Sequence, residues 1–141
     1  MYRKAVLIQG ISDELMTATG IGPVIGELRN QENIIAVILF GSVARGNAGT
    51  LSDIDLCIVT SREISESEKH DLLSYGSRKI DVSLFYDLPL TIRFRVLREG
   101  KLLFCRDSLT FHRIVTKTVR QYLDSASLIR KHSLHAIRVP L

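Results

Sequence analysis

The stretch "LFGSVARGNAGTLSDIDLCIVT" (residues 39–60) decides how this chain is read. It joins two apolar runs through a glycine-rich bend that also carries an arginine and two aspartates. The run before the bend, "IIAVILF" (34–40), is continuous and rich in β-branched residues, as expected of a sheet strand covered on both faces. The run after it, "IDLCIVT" (54–60), predicts a second strand. Asp53 and Asp55 stand two apart where that strand starts, so their side chains leave the same face. A third strand, "KIDVSLFY" (79–86), carries Asp81 on the face opposite Ile80, Val82 and Leu84.

Three carboxylates on two strands, if those strands are neighbours in one sheet, would repel one another, and each is costly to bury unpaired. A divalent cation resolves that repulsion, and oxygen-only ligands on a rigid sheet suit Mg²⁺ or Mn²⁺. Two such ions bridged by carboxylates serve an in-line displacement at phosphorus. The bend supplies the complementary half. Gly41 lets the backbone approach a ligand closely, and the Ser42 hydroxyl with nearby N–H groups can donate to phosphate oxygens. Arg45 can neutralise charge on a polyphosphate, and Gly46 and Gly49 let the chain double back toward Asp53. Taken singly, each piece has an ordinary explanation: a turn, a helix cap, a surface arginine, an edge-strand charge. Their order, with strands between them, makes the set specific.

Around this centre the remaining chain predicts helices. "ISDELMTATGIGPVIGELRNQENI" (11–34) looks helical in two pieces broken at Gly20–Pro23, with Ser12 starting the first and Pro23 opening the second. Ser65 and Glu68 form a capping box for a helix over 65–76 that closes on Gly76. A helix over 88–100 ended by Gly100 and a short strand over 102–104 follow. A last helix over about 108–129 carries Phe111, Ile114, Val115, Val119, Tyr122 and Ala126 on one stripe. The expected class is α/β (α+β), a small mixed sheet flanked by helices.

The 141 residues fit a single domain over 1–141, with a core at about 34–105. With 45% hydrophobic and 24% charged residues the composition is that of an ordinary globular protein. No apolar run approaches the ~20 residues that span a bilayer, so no membrane association is expected. Cys57 and Cys105 sit in apolar runs and read as buried free thiols of a reducing, cytoplasmic setting. Residues 1–87 hold 8 Lys/Arg against 12 Asp/Glu, and residues 88–141 hold 11 against 3. The basic second half is a solvated face or a surface for RNA or an acidic partner.

The string "FGSVARG…SDIDL", the third aspartate in "KIDVSLF" and the later "RVLREGKLLFCRD" resemble the minimal nucleotidyltransferase branch of the DNA polymerase beta-like superfamily. That branch includes MntA-type antitoxins paired with HEPN-domain HepT toxins. The resemblance covers roughly residues 34–123 and is strongest over 39–59. It implies the polymerase-beta-like fold, a nucleoside triphosphate donor such as ATP on Gly41 and Ser42, and two Mg²⁺ ions on Asp53, Asp55 and Asp81. Val43 stands where family members often have arginine, which leaves Arg45 more of the triphosphate. A chain this short has little surface to enclose an acceptor, so the acceptor brings its own surface or an oligomer completes the site. The leading expectation is transfer of AMP to a tyrosine of a HepT-like toxin. Transfer to a small molecule or RNA end is the alternative, and a non-catalytic binding module, which would not need three carboxylates, is the third.

Overall fold

Uninterrupted β-branched runs build the sheet on which everything else is laid. The computed structural model describes residues 20–41, 54–61 and 64–138, with side chains through residue 128. Four strands, β1 (Ile34–Phe40), β2 (Ile54–Thr60), β3 (Ile80–Leu84) and β4 (Lys101–Cys105), form one mixed sheet in the order β3-β2-β1-β4. β1 pairs antiparallel with both β2 and β4, while β2 and β3 run parallel. The expected mixed sheet flanked by helices is therefore present.

Both faces of the sheet are covered, which is why β1 and β2 lack polar alternation. On one face Ile34, Val37, Leu56, Ile58 and Val82 pack against Ile21, Ile25 and Leu28 of α1 (Ile21–Arg29) and Leu72 of α2 (Glu66–Leu73). On the other, Ile38, Cys57, Val59 and Phe85 meet Ile92 and Val96 of α3 (Leu90–Glu99) and Phe111 and Ile114 of α4 (Ser108–Arg138). Ile58 is fully buried. Burial of such a side chain stabilises by about 1.5–3 kcal/mol, and cutting it back to alanine would cost about 2–5 kcal/mol. α3 and α4 are further joined by the stacked rings of Phe94 and Tyr122, 3.9 Å apart.

Element boundaries depart from the sequence reading in six elements. α1 starts at Ile21 behind Gly20 (φ +72°), so Pro23 lies within its first turn, where no N–H is needed. The first helical piece, with Ser12, falls outside the described residues. α2 has the expected capping box, with Ser65 and Glu68 bonded reciprocally at 3.1 Å, but it ends at Leu73 rather than Gly76. Ser74 takes the terminal turn instead, its hydroxyl donating to Asp71 O. β3 stops at Leu84, because Phe85–Asp87 curl into a 3₁₀ turn that swings the Phe85 ring under the sheet. α3 starts at Leu90 behind Pro89. Gly100 ends it in extended backbone, where a Cβ would lie 2.5 Å from Ile38 Cγ2. α4 runs on to Arg138, nine residues past the expected end. β4 is one residue longer at each end than expected.

Two polar devices tie the elements together. Arg106, just after β4, donates from Nε to Ile34 O (2.9 Å) and from Nη2 to Arg29 O and Gln31 O (2.5 and 2.8 Å). One guanidinium thus caps the end of α1 and fixes the start of β1. Asp107 opens α4 by accepting from the N–H groups of Leu109 and Thr110 and from the Thr110 hydroxyl. These bonds hold its carboxyl below the usual carboxylate range, the Thr110 hydroxyl contributing most.

Candidate active site

The sheet register brings together residues that are far apart in the chain. Phe40, the last residue of β1, is the antiparallel partner of Asp55, and Asp55 is the parallel partner of Asp81. Ile54, Leu56, Ile80 and Val82 point into the core beneath α1 and α2, so Asp55 and Asp81 emerge together on the opposite face. Asp55 is half-buried and Asp81 exposed. Gly41 follows Phe40 with φ +81°, a conformation that glycine alone takes cheaply. A Cβ at Gly41 would fall on Asp55 Oδ2, so the turn backbone lies directly against the carboxylate.

Of the six site residues expected from the sequence, Gly41, Asp55 and Asp81 are therefore gathered at one end of the sheet. Ser42, Arg45 and Asp53 lie outside the described residues. Among the described residues no three His, Cys, Asp or Glu side chains group as a metal site. The donor set that is described fits a hard divalent cation: two carboxylates, in register, on adjacent strands of a rigid sheet, with no sulfur or nitrogen ligand between them. Asp81 has no ion-pair partner among the described residues.

Sequence reasoning missed the wall beside this site. A cavity of about 230 Å³ adjoins Gly41 and is lined by Phe40, Ile92, Arg95, Val96 and Glu99. Ile92, Val96 and Glu99 follow helical spacing along α3, and Arg95 sits on the same stripe. A charged pair on an otherwise apolar stripe was the signal available. Arg95 is exposed and makes no hydrogen bond or ion pair among the described residues, whereas Glu99 is held by Arg98 at 2.8 Å.

The described tyrosines and the two cysteines are engaged in packing and hydrogen bonding. Tyr75 accepts from Gln31, Tyr122 stacks on Phe94, and Tyr86 packs edge-on against Phe85. Cys57 and Cys105 are free and buried, as expected. Burial pushes the Cys57 thiol up to about 12, which leaves it unreactive. No helix among the described residues is long and apolar enough to cross a membrane.

This chain is similar to several known proteins. Residues 24–109 match the family model described as polymerase beta, nucleotidyltransferase. A Methanocaldococcus jannaschii protein, named as a candidate protein adenylyltransferase, is 26% identical over 74% of this chain and 83% of its own length. A crystal structure of a toxin–antitoxin with AMP-PNP superposes with TM-score 0.63 at 20% identity, over 82% of this chain and 96% of that one. A structure of the tri-AMPylated Shewanella oneidensis HEPN toxin in complex with its MNT antitoxin gives TM-score 0.59 at 18% identity, over 82% and 93% of the two chains. At those identities the two structures establish likeness of fold.

Proposed function

The chain belongs to the polymerase beta nucleotidyltransferase family, and from that premise we propose that it transfers AMP from ATP to a tyrosine hydroxyl of a HEPN/HepT-type toxin, as that toxin's antitoxin. The observation that carries this reading is the register that sets Asp55 beside Asp81 with the Gly41 turn against them. The protein acceptor is supported by the adenylyltransferase relative and by the toxin–antitoxin complexes of like fold.

In this reading one catalytic domain spans 1–141, and Asp53, Asp55 and Asp81 hold two Mg²⁺ (or Mn²⁺) ions. When bound, the ions neutralise charge on the triphosphate and on the pyrophosphate that leaves. Gly41 and Ser42 seat the phosphates, and Arg45 steadies them. The acceptor oxygen bonds to the α-phosphorus, the bond from that phosphorus to the bridging oxygen breaks, and pyrophosphate departs. The hydroxyl proton passes to the Asp81 carboxylate, which lies at the exposed edge of the pair. Buried free thiols fit a reducing cytoplasm.

The test is incubation with ATP, Mg²⁺ and a cognate HEPN-type protein. Mass spectrometry should show adenylate increments on a partner tyrosine, absent with Asp53→Ala. Label confined to RNA 3′ ends or small alcohols, with the partner unmodified, would reassign the acceptor.

A further inference from the structure

We propose that the cavity between Phe40, Gly41 and α3 receives the purine base of the donor nucleotide, with the Arg95 guanidinium against the ring. This inference rests on the nucleotidyltransferase reading and adds to it the subsite that reads the base. Three observations carry it. The first is position: Gly41 belongs both to this cavity and to the turn that lies against Asp55. A nucleotide whose phosphates sit on that turn therefore has its base within reach of the same wall. The second is size. At about 230 Å³ the cavity falls below the ~300–1,000 Å³ of pockets that enclose a whole drug-sized ligand, so it suits one flat ring system. The third is lining. Phe40, Ile92 and Val96 give apolar walls, Glu99 adds a carboxylate paired with Arg98, and Arg95 gives a planar cation that no described residue engages. Apolar walls with a guanidinium plane stack well on an electron-rich ring, whereas polyphosphate would call for several cations and N–H donors.

The test separates base from phosphate by calorimetry on the full chain with Mg²⁺, using a non-hydrolysable ATP analogue and, separately, inorganic tripolyphosphate. The wild-type protein should bind the analogue more tightly than tripolyphosphate. Arg95→Ala should weaken the analogue on the order of tenfold and leave tripolyphosphate unchanged. Because Arg95 is exposed, its removal should leave Tm unmoved. Phe40→Ala should repeat the selective loss wherever it keeps the wild-type circular dichroism spectrum. Equal losses for both ligands with Arg95→Ala would place Arg95 on the phosphates and overturn the proposal. Unchanged analogue affinity would overturn it too, and a raised KM for the protein acceptor alone would reassign the cavity to the acceptor side chain. A wild-type protein that binds neither ligand would instead remove the nucleotide reading itself.

Discussion

The Asp55 carboxylate fills the space that Gly41 leaves by having no side chain. Two constraints meet at this residue: a backbone in the left-handed region and a carboxylate where a methyl would go. Gly41→Ala should cost about 1–2 kcal/mol from the backbone alone. Displacing the carboxylate should lower nucleotidyl transfer by about 10²-fold or more, since misplacement by an ångström costs that much. Urea unfolding beside a transfer assay checks both. Near-native turnover in this variant would show that the close approach plays no part in catalysis.

Asp55→Asn and Asp81→Asn should each abolish or severely reduce transfer, by about 10²-fold or more, because an amide neither balances a dication nor accepts the hydroxyl proton. In EDTA, Tm should stay level or rise, since each change removes one charge from a repelling pair. A drop of several degrees in EDTA would mark the pair as structural.

Binding of ATP should require Mg²⁺ or Mn²⁺, because Asp55 and Asp81 would otherwise set two carboxylates against the triphosphate. Calorimetric titration with and without EDTA measures this, and equal affinity in the two conditions would exclude the two-ion arrangement.

Arg106→Ala should be the most damaging change outside the core. Three backbone carbonyls lose a charged donor, and hydrogen bonds to charged groups contribute about 1.5–3 kcal/mol each before losses overlap. We expect about 2–3 kcal/mol in denaturant unfolding, with Arg106→Lys recovering only part because an ammonium lacks the fork.

Asp107 should give the stability an acid limb. Its folded pKa is depressed, so its contribution is complete above the ordinary carboxylate value and is lost as pH falls through the lowered one. Asp107→Asn, which keeps a capping oxygen, should therefore differ from wild type in Tm at neutral pH and converge with it in acid.

Much of this was legible in the chain. β1 and β2 were plain because seven-residue β-branched runs covered on both faces carry no competing helical period. The capping box of α2 was plain because its spacing is local. What could not be read was non-local. Nothing in the composition says that β3 pairs parallel with β2, yet that pairing alone sets Asp81 beside Asp55. Phe85 was placed in a strand because its propensity suits one, but the ring is buried through a 3₁₀ turn. Arg95 was overlooked because one cation among several on a helix gains meaning only once α3 is seen to border Gly41.

The crossover from β2 through α2 to β3 has a kinetic consequence. Parallel neighbours cannot be joined by a tight hairpin, so their pairing waits on closing a long loop, a slow and entropically costly step. Asp55 and Asp81 meet only when that step is complete. The β1–β2 pair sets Gly41 against Asp55 without β3, so Asp81 is the last described carboxylate to arrive, and slow-exchanging amides along β2 and β3 should open together with the whole molecule. A destabilised variant therefore loses active molecules one by one, and those still folded keep full turnover.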